Sequence, residues 1–431
     1  MNQTNQSILT LLKEESVWKE FYRYKTERNH LSKKDAASLE AFIREKKYVP
    51  AAEKFTDPDY MLPLPTKFSI NKSGTGKKRV VYTFPETESM LLKLIAHLLY
   101  RYDALLSPAC YSFRKNISAK DAIRDILAVP GLSRKFCLKA DISNYFNSMS
   151  VDILLSLLHE ILTDDPSLYH FFEKMLLAGA AYENGTVTEE MRGAMAGTPT
   201  SAFFADLYLL SVDESFTKKG VAYFRYSDDI LIFADSMEEL SAYQAQLTGL
   251  IHALGLSMNP DKLTVTAPGE AFEFLGFCCR NGQIDLSKAA KRKMKAKIKR
   301  KAHLLYRRQQ KNNGKKTLTF EESARLLIKT FNRKYFEEEG EDRFTWSRWF
   351  FPVLTCSDGL KELDEYLLSY VRFLKSGRHY KGNYRLRYES IKELGYRSLV
   401  HEYYRYKNLS FPAKYTMIEK NEINTRNEEK P

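Results

Sequence analysis

The chain has few cysteines, no apolar run long enough for a membrane and no internal repeat. The five cysteines in 431 residues are Cys110, Cys137, Cys278, Cys279 and Cys356. Their spacing matches neither a zinc-ligand pair nor a disulfide framework. The adjacent pair Cys278-Cys279 is poorly placed for a simple bridge, so reduced thiols and a cytoplasmic setting are expected. No stretch approaches the roughly 20 apolar residues of a transmembrane helix, and no membrane partner is expected. The segment from Met1 to Leu12 is polar, without a signal-peptide core.

What the chain does have is apolar and basic material. It is 44% hydrophobic and 13% aromatic, enough to bury a sizeable core. Its length suits roughly two to four domains or subdomains. Lys and Arg number 67 against 54 Asp and Glu, a net charge of +13. An excess of this size can serve solubility alone. Its uneven placement points instead to a polyanion. The segment from Lys288 to Arg308 carries many Lys and Arg residues and no acidic one. A solvated helix face normally mixes signs, so a single-sign helix suits a phosphate backbone. Met294, Ile298, Leu304 and Leu305 supply its packing stripe.

The most informative stretch is Phe224-Arg225-Tyr226-Ser227-Asp228-Asp229-Ile230-Leu231-Ile232-Phe233. Its β-favouring flanks predict two short strands with the acidic pair at the turn. Adjacent ionised carboxylates repel, and a divalent cation relieves that repulsion. A plain hairpin tip is the bland alternative. A second acidic position alters the balance: the strand-like Phe136-Cys137-Leu138-Lys139-Ala140 ends at Asp141. Asp141, Asp228 and Asp229 together can clamp two Mg²⁺ ions about 3.5–4 Å apart, the spacing used in phosphoryl displacement. One ion would activate a 3′-hydroxyl and the other would stabilise the leaving pyrophosphate.

With these residues in view, the chain resembles the reverse transcriptase palm across about residues 60–280. The strand ending at Asp141 is similar to motif A. The run Gly193 to Leu209 is similar to motif B, Tyr226 to Asp229 to the YxDD box of motif C, Gly255 to Lys262 to motif D, and Phe274-Leu275-Gly276-Phe277 to motif E. The five occur in the family's order. The resemblance implies an α+β right-hand polymerase with fingers, a palm whose antiparallel sheet packs on helices, and a helical thumb. The expected divisions are an N-terminal helical extension at 1–55, fingers at 56–135, palm at 136–280, thumb at 281–320, a helical thumb continuation or C-terminal domain at 321–410, and a disordered tail at 411–431. The activity it implies is RNA-directed DNA polymerisation from dNTP substrates.

Site roles follow by the same resemblance. Asp141, Asp228 and Asp229, with the backbone carbonyl of Ile142, would hold the metals. Lys72 and Arg79, flanking a turn between two strands, fit the pair that grips triphosphate; an ordinary solvated hairpin is the alternative. Phe146 occupies the steric-gate position that excludes a ribose 2′-hydroxyl, or is a core aromatic; Tyr145 is the better core candidate. Lys262 is placed to protonate pyrophosphate, or is a surface lysine. Arg114 contacts template or nucleotide, or anchors the fold. Motif B departs from the usual Pro-Gln-Gly: Met195-Ala196-Gly197 lacks the glutamine, Ala202 follows Ser201, and Asp206 stands where Asn is more typical. Gly197 keeps the turn that permits close backbone approach to the template–primer or nucleotide.

The basic-aromatic runs His379–Tyr388 and His401–Lys407 suit stacking on unpaired bases, or the core and rim of a helical domain. Neither an RNase H carboxylate set nor a Cys/His endonuclease cluster follows the palm. The chain is similar to the defence-associated (unknown-group), retron and group II intron-like bacterial reverse transcriptases. The defence-associated class implies a dedicated, structured non-coding RNA as template, a cDNA product and antiphage defence. A retron or intron-type enzyme and a catalytically idle RNA-binding protein are the alternatives. Priming from a tyrosine, an RNA 2′-hydroxyl or a free 3′ end stays open, and no feature sets an oligomeric state.

Overall fold

The structure is a computed structural model, and it describes residues 6–27, 31–71, 78–190, 193–310, 317–336 and 345–408. The chain divides into two compact units. The first is Met1–Leu275 with Arg280–Gly282, and the second is Gly276–Cys279 with Gln283–Pro431. The division falls beside Gly276, within the motif E segment.

The first unit opens with helices Ile8–Leu11, Glu15–Glu27, Lys33–Arg44 and Tyr48–Phe55. Trp18 is fully buried among the rings of Phe21, Phe42 and Tyr48. Its indole N–H donates to the Leu12 carbonyl at 2.8 Å, which satisfies its one polar atom. Asp165 caps two helices at once. It accepts from the Leu168 amide at the start of helix Pro166–Leu177 at 3.1 Å, and from the Ile8 amide at 2.7 Å. The N-terminal helices therefore share one core with the helices that follow.

Eight strands build two four-stranded sheets: β1 Thr66–Asn71, β2 Lys78–Thr83, β3 Phe136–Asp141, β4 Ala180–Glu183, β5 Thr186–Glu189, β6 Ala222–Tyr226, β7 Asp229–Ala234 and β8 Thr264–Thr266. One sheet has the order β2-β1-β4-β5, with β1 and β2 antiparallel as the sequence predicts. Lys72 and Lys77, in the segment between them, lie outside the described residues. The other sheet has the order β6-β7-β3-β8 and is antiparallel throughout. Strand β7 is buried from Ile230 to Ala234, as its unbroken apolar run requires of a central strand. Helix Leu210–Thr217 covers β6, and helix Met237–Ala253 covers β7 and β3.

In the second unit, helix Lys288–Gln310 packs on helices Phe320–Tyr335 and Asp358–Ser376. Its buried stripe is Met294, Ile298, Ala302 and Leu305. Leu304, expected on that stripe, is exposed; the steps of four, four and three place Ala302 on the packed face and turn Leu304 away from it. Asp364, buried, accepts from the amides of Leu399 and Val400 at 2.9 and 3.0 Å and so seats helix Leu399–Tyr406.

Truncation of a buried aromatic removes its contacts and leaves a cavity. Trp18→Ala is expected to lower unfolding free energy by about 3–5 kcal/mol in urea titration. A loss below about 1 kcal/mol would show that the N-terminal helices do not share the core.

Candidate active site

Strand pairing assembles the site. In the β3–β7 ladder Asp141 lies opposite Asp229, and in the β6–β7 ladder Tyr226 lies opposite Asp229. The hairpin loop is therefore Ser227-Asp228 alone. Ser227 takes a φ of 57°, the left-handed region that a serine seldom occupies. All three predicted carboxylates thus gather at one end of one sheet. Directly opposed residues of an antiparallel pair have Cα atoms only about 4.5–5.5 Å apart.

The local electrostatics show crowding. Burial pushes the Asp229 carboxyl up to about 6; Lys139 and Lys262 pull it down, and Asp228 and Asp141 push it further up. Asp228 is raised by burial and then by Asp141. Lys262, at the end of the turn Pro260–Lys262, donates to Asp141 Oδ1 at 2.5 Å. Burial opposes its charge, but the hydrogen bond and the three carboxylates outweigh that and raise its pKa. Asn259 joins the site, a residue the sequence reading missed. Its amide N–H donates to the Asp141 carbonyl at 2.7 Å and its Nδ2 to Asp141 Oδ2 at 3.3 Å. Its place three residues before Lys262 on the same turn was the available signal.

No group of three His, Cys, Asp or Glu side chains stands at metal-holding spacing among the described residues. Asp141 is turned toward Lys262 and Asn259. The donor chemistry nonetheless suits a hard divalent cation: carboxylate oxygens, mutually repelling and partly buried, on one sheet end. Ile142 follows Asp141 in an isolated bridge to Met258. The bonds flanking that bridge use the Asp141 carbonyl and the Ser143 amide, not the Ile142 carbonyl.

The other predicted residues frame this end. Phe146 is half-buried, edge-on to Phe113 at 6.4 Å, while Tyr145 is buried and donates to the Ala205 carbonyl. The Arg79 guanidinium sits 5.7 Å from the centre of the Phe146 ring, which brings β2 to the Asp141 segment. Asn147 ties three segments together: its Oδ1 accepts from the Ala196 amide at 3.2 Å and its Nδ2 donates to the Val80 carbonyl at 3.4 Å. Gly197 has a φ of 100°, and an added Cβ would lie 3.2 Å from both the Tyr82 carbonyl and Val81 Cβ. The backbone it approaches closely is the protein's own β2. Arg114 anchors the fold, donating to the carbonyls of Asp103 at 2.6 Å and Ser107 at 2.9 Å. Lys72 lies outside the described residues.

In the second unit Lys291 and Lys295 both pair with Glu362, at 2.5 and 2.6 Å. Part of the basic helix is therefore neutralised within the protein, while Arg292, Lys293, Lys299 and Arg300 are exposed. Tyr380, Tyr384 and Tyr406 are exposed and Tyr403 is buried, so the aromatic-basic region supplies both a surface and a core.

Residues 70–279 match the model of the family described as reverse transcriptase (RNA-dependent DNA polymerase). That match spans just under half of the chain. The chain is similar to the Retron Ec86 reverse transcriptase of Escherichia coli, with 21% identity over 238 residues that cover 54% of this chain and 68% of that one. Two solved structures are also similar. One is an apo telomerase from Candida tropicalis truncated from its C-terminal domain, with 12% identity and a TM-score of 0.43, covering 52% of this chain and 55% of that one. The other is a telomerase from Candida albicans with a TWJ fragment of telomeric RNA, with 14% identity and a TM-score of 0.39, covering 85% and 65%. The chain thus spans about half the length of the first telomerase and less than two thirds of the second.

The raised pKa of Asp229 sets a pH response for this carboxylate site. Above about 6 the carboxylate is ionised and able to bind a cation; below it a proton competes. The half-saturating Mg²⁺ concentration for nucleotide incorporation is expected to rise as pH falls through that value, by up to about tenfold per pH unit. A constant half-saturation between pH 8 and pH 5 would contradict the assignment.

Proposed function

We propose that this protein is an RNA-directed DNA polymerase that adds deoxynucleotides to a 3′-hydroxyl on an RNA template. The pairing of Asp141 with Asp229 beside the Asp228 turn, inside a reverse transcriptase domain, carries the reading. Asp141, Asp228, Asp229 and the Ile142 carbonyl would hold two Mg²⁺ ions. When bound, these supply activation of the 3′-hydroxyl and stabilisation of the leaving pyrophosphate. Lys262, its ammonium already at the carboxylate cluster, holds the proton that the pyrophosphate takes up. Arg79, with Lys72, binds triphosphate. Phe146, held between Arg79 and Phe113, blocks a ribose 2′-hydroxyl. In this reading residues 56–135 act as fingers, 136–280 as palm and 281–320 as thumb, with 321–410 continuing it. The exposed cations of helix Lys288–Gln310 follow the nucleic-acid backbone.

The finer reading is a cytoplasmic enzyme that copies a dedicated, structured non-coding RNA into cDNA in antiphage defence. Its support is the resemblance to defence-associated bacterial enzymes. The similarity to a retron enzyme favours a retron-type role as the second reading. Sequencing of RNA and attached DNA that co-purify with the protein separates the two.

Primer extension with dNTP on an RNA template tests the chemistry. Asp228→Ala and Asp229→Ala are each expected to lower incorporation by at least about 10³-fold while RNA binding persists, as loss of a metal ligand demands. A wild type that binds RNA but incorporates nothing on any template would leave an RNA-binding protein on a polymerase scaffold. Phe146→Ala is expected to raise ribonucleotide incorporation relative to deoxynucleotide by roughly tenfold or more, as removal of a steric block does; an unchanged ratio removes the gate assignment.

A further inference from the structure

Behind the catalytic hairpin lies a buried polar network that the chemistry above does not use. Arg225 is fully buried at the end of β6. Its Nε and Nη2 donate to the two carboxylate oxygens of Asp213, each at 2.6 Å, a bidentate pair. Its Nη2 also donates to the Asp206 backbone carbonyl at 3.0 Å, and its Nη1 to the Ser227 carbonyl at 3.2 Å. Ser227 is held from its other side as well. Its amide N–H donates to Ser112 Oγ at 2.8 Å, and Ser112 Oγ donates in turn to Asp206 Oδ1 at 2.5 Å. Both backbone polar groups of the residue with the unusual φ are therefore engaged.

The segment that carries Ser112 is itself fixed. Arg114 ties its own loop to the carbonyls of Asp103, Ser107 and Cys110. The loop is laced to β6, with the Tyr111 amide on the Arg225 carbonyl and the Arg225 amide on the Ala109 carbonyl, both at 2.9 Å. We propose that Ser112 and Arg225 are positioning residues that clamp the amide and carbonyl of Ser227 and so fix the turn from which Asp228 and Asp229 reach the reacting groups. Asp206 orients the Ser112 hydroxyl and Asp213 orients the Arg225 guanidinium. Burial pushes the Asp206 carboxyl up to about 7 against the pull of Arg225. A carboxylic acid and a carboxylate both accept from a hydroxyl, so the role belongs to the acceptor oxygen rather than to its charge.

The inference rests on the polymerase reading for its kinetic arm and not for its structural arm. Arg225 variants leave a buried carboxylate unpaired and risk unfolding, so the test uses Ser112→Ala in the full-length protein. With a poly(rA) template, an oligo(dT) primer and dTTP, kcat is expected to fall roughly 10- to 100-fold, as a small displacement of reacting groups produces. KM for dTTP is expected to stay within about twofold, since uniform binding is untouched. Hydrogen exchange of the peptide spanning the 225–229 turn is expected to accelerate, with the rest of the chain unchanged. Asp206→Ala should reproduce both effects, and Asp206→Asn, which keeps an acceptor oxygen, should recover most of the loss. Wild-type turn protection and wild-type kcat in a folded Ser112→Ala protein overturn the proposal. So does an Asp206→Asn protein as impaired as Asp206→Ala. A wild type that extends no primer removes the polymerase reading, and the exchange measurement still decides the clamp.

Discussion

The site depends on the antiparallel pairing of β3 with β7. That ladder sets Asp141, near the middle of the first unit's sequence, against Asp229, 88 positions later. A slip of one residue would turn every side chain of β7 to the opposite face. Ile230 to Ala234 are all buried in a sheet covered by helices, which makes such a slip costly. The hydrophobic register of a central strand thus also holds the register of the charged ends. The two-residue turn Ser227-Asp228 extends this logic by adding the third carboxylate without a flexible linker.

Two of the three carboxylates gathered in this way, Asp228 and Asp229, resist ionisation. Burial and mutual repulsion raise Asp228 and Asp229, while Lys262 and Asn259 engage Asp141. A divalent cation held there, as proposed, would relieve the repulsion and take over the compensation that the ammonium provides. In the proposed mechanism this would leave Lys262 to act on a phosphate. The turn that must stay in place under this electrostatic load is gripped from behind by a neutral hydroxyl and a fully buried guanidinium.

Much of this was legible in the sequence because its signals are local. The apolar runs around Asp228-Asp229 and the strand ending at Asp141 each sit within a dozen residues, and the structure places the three carboxylates together. The glycine at 197 reads as a point of close approach to template–primer or nucleotide, and the neighbour the structure shows is Tyr82 of β2, a tertiary neighbour that no local pattern names. By sequence Arg114 suits either a ligand or an anchor, and its bonds to three backbone carbonyls anchor the fold. The long-range pairs escaped notice: Ser112 with Ser227, Asp206 with Arg225, Lys291 and Lys295 with Glu362. Such partners are set by topology rather than by spacing, so they emerge only once the fold is assembled. On the basic helix, the single-sign face was plain in the sequence, while its partial neutralisation by Glu362 was not.

The most direct measurement is Mn²⁺ titration of the full-length protein by electron paramagnetic resonance with a non-hydrolysable dNTP analogue, in wild type and in Asp141→Asn. Cation capture by β3 and the β6–β7 turn together predicts two Mn²⁺ ions per chain in the wild type, magnetically coupled, and loss of that coupling in Asp141→Asn. Equal stoichiometry and equal coupling in the two proteins would contradict it, because the cations would then be held without Asp141.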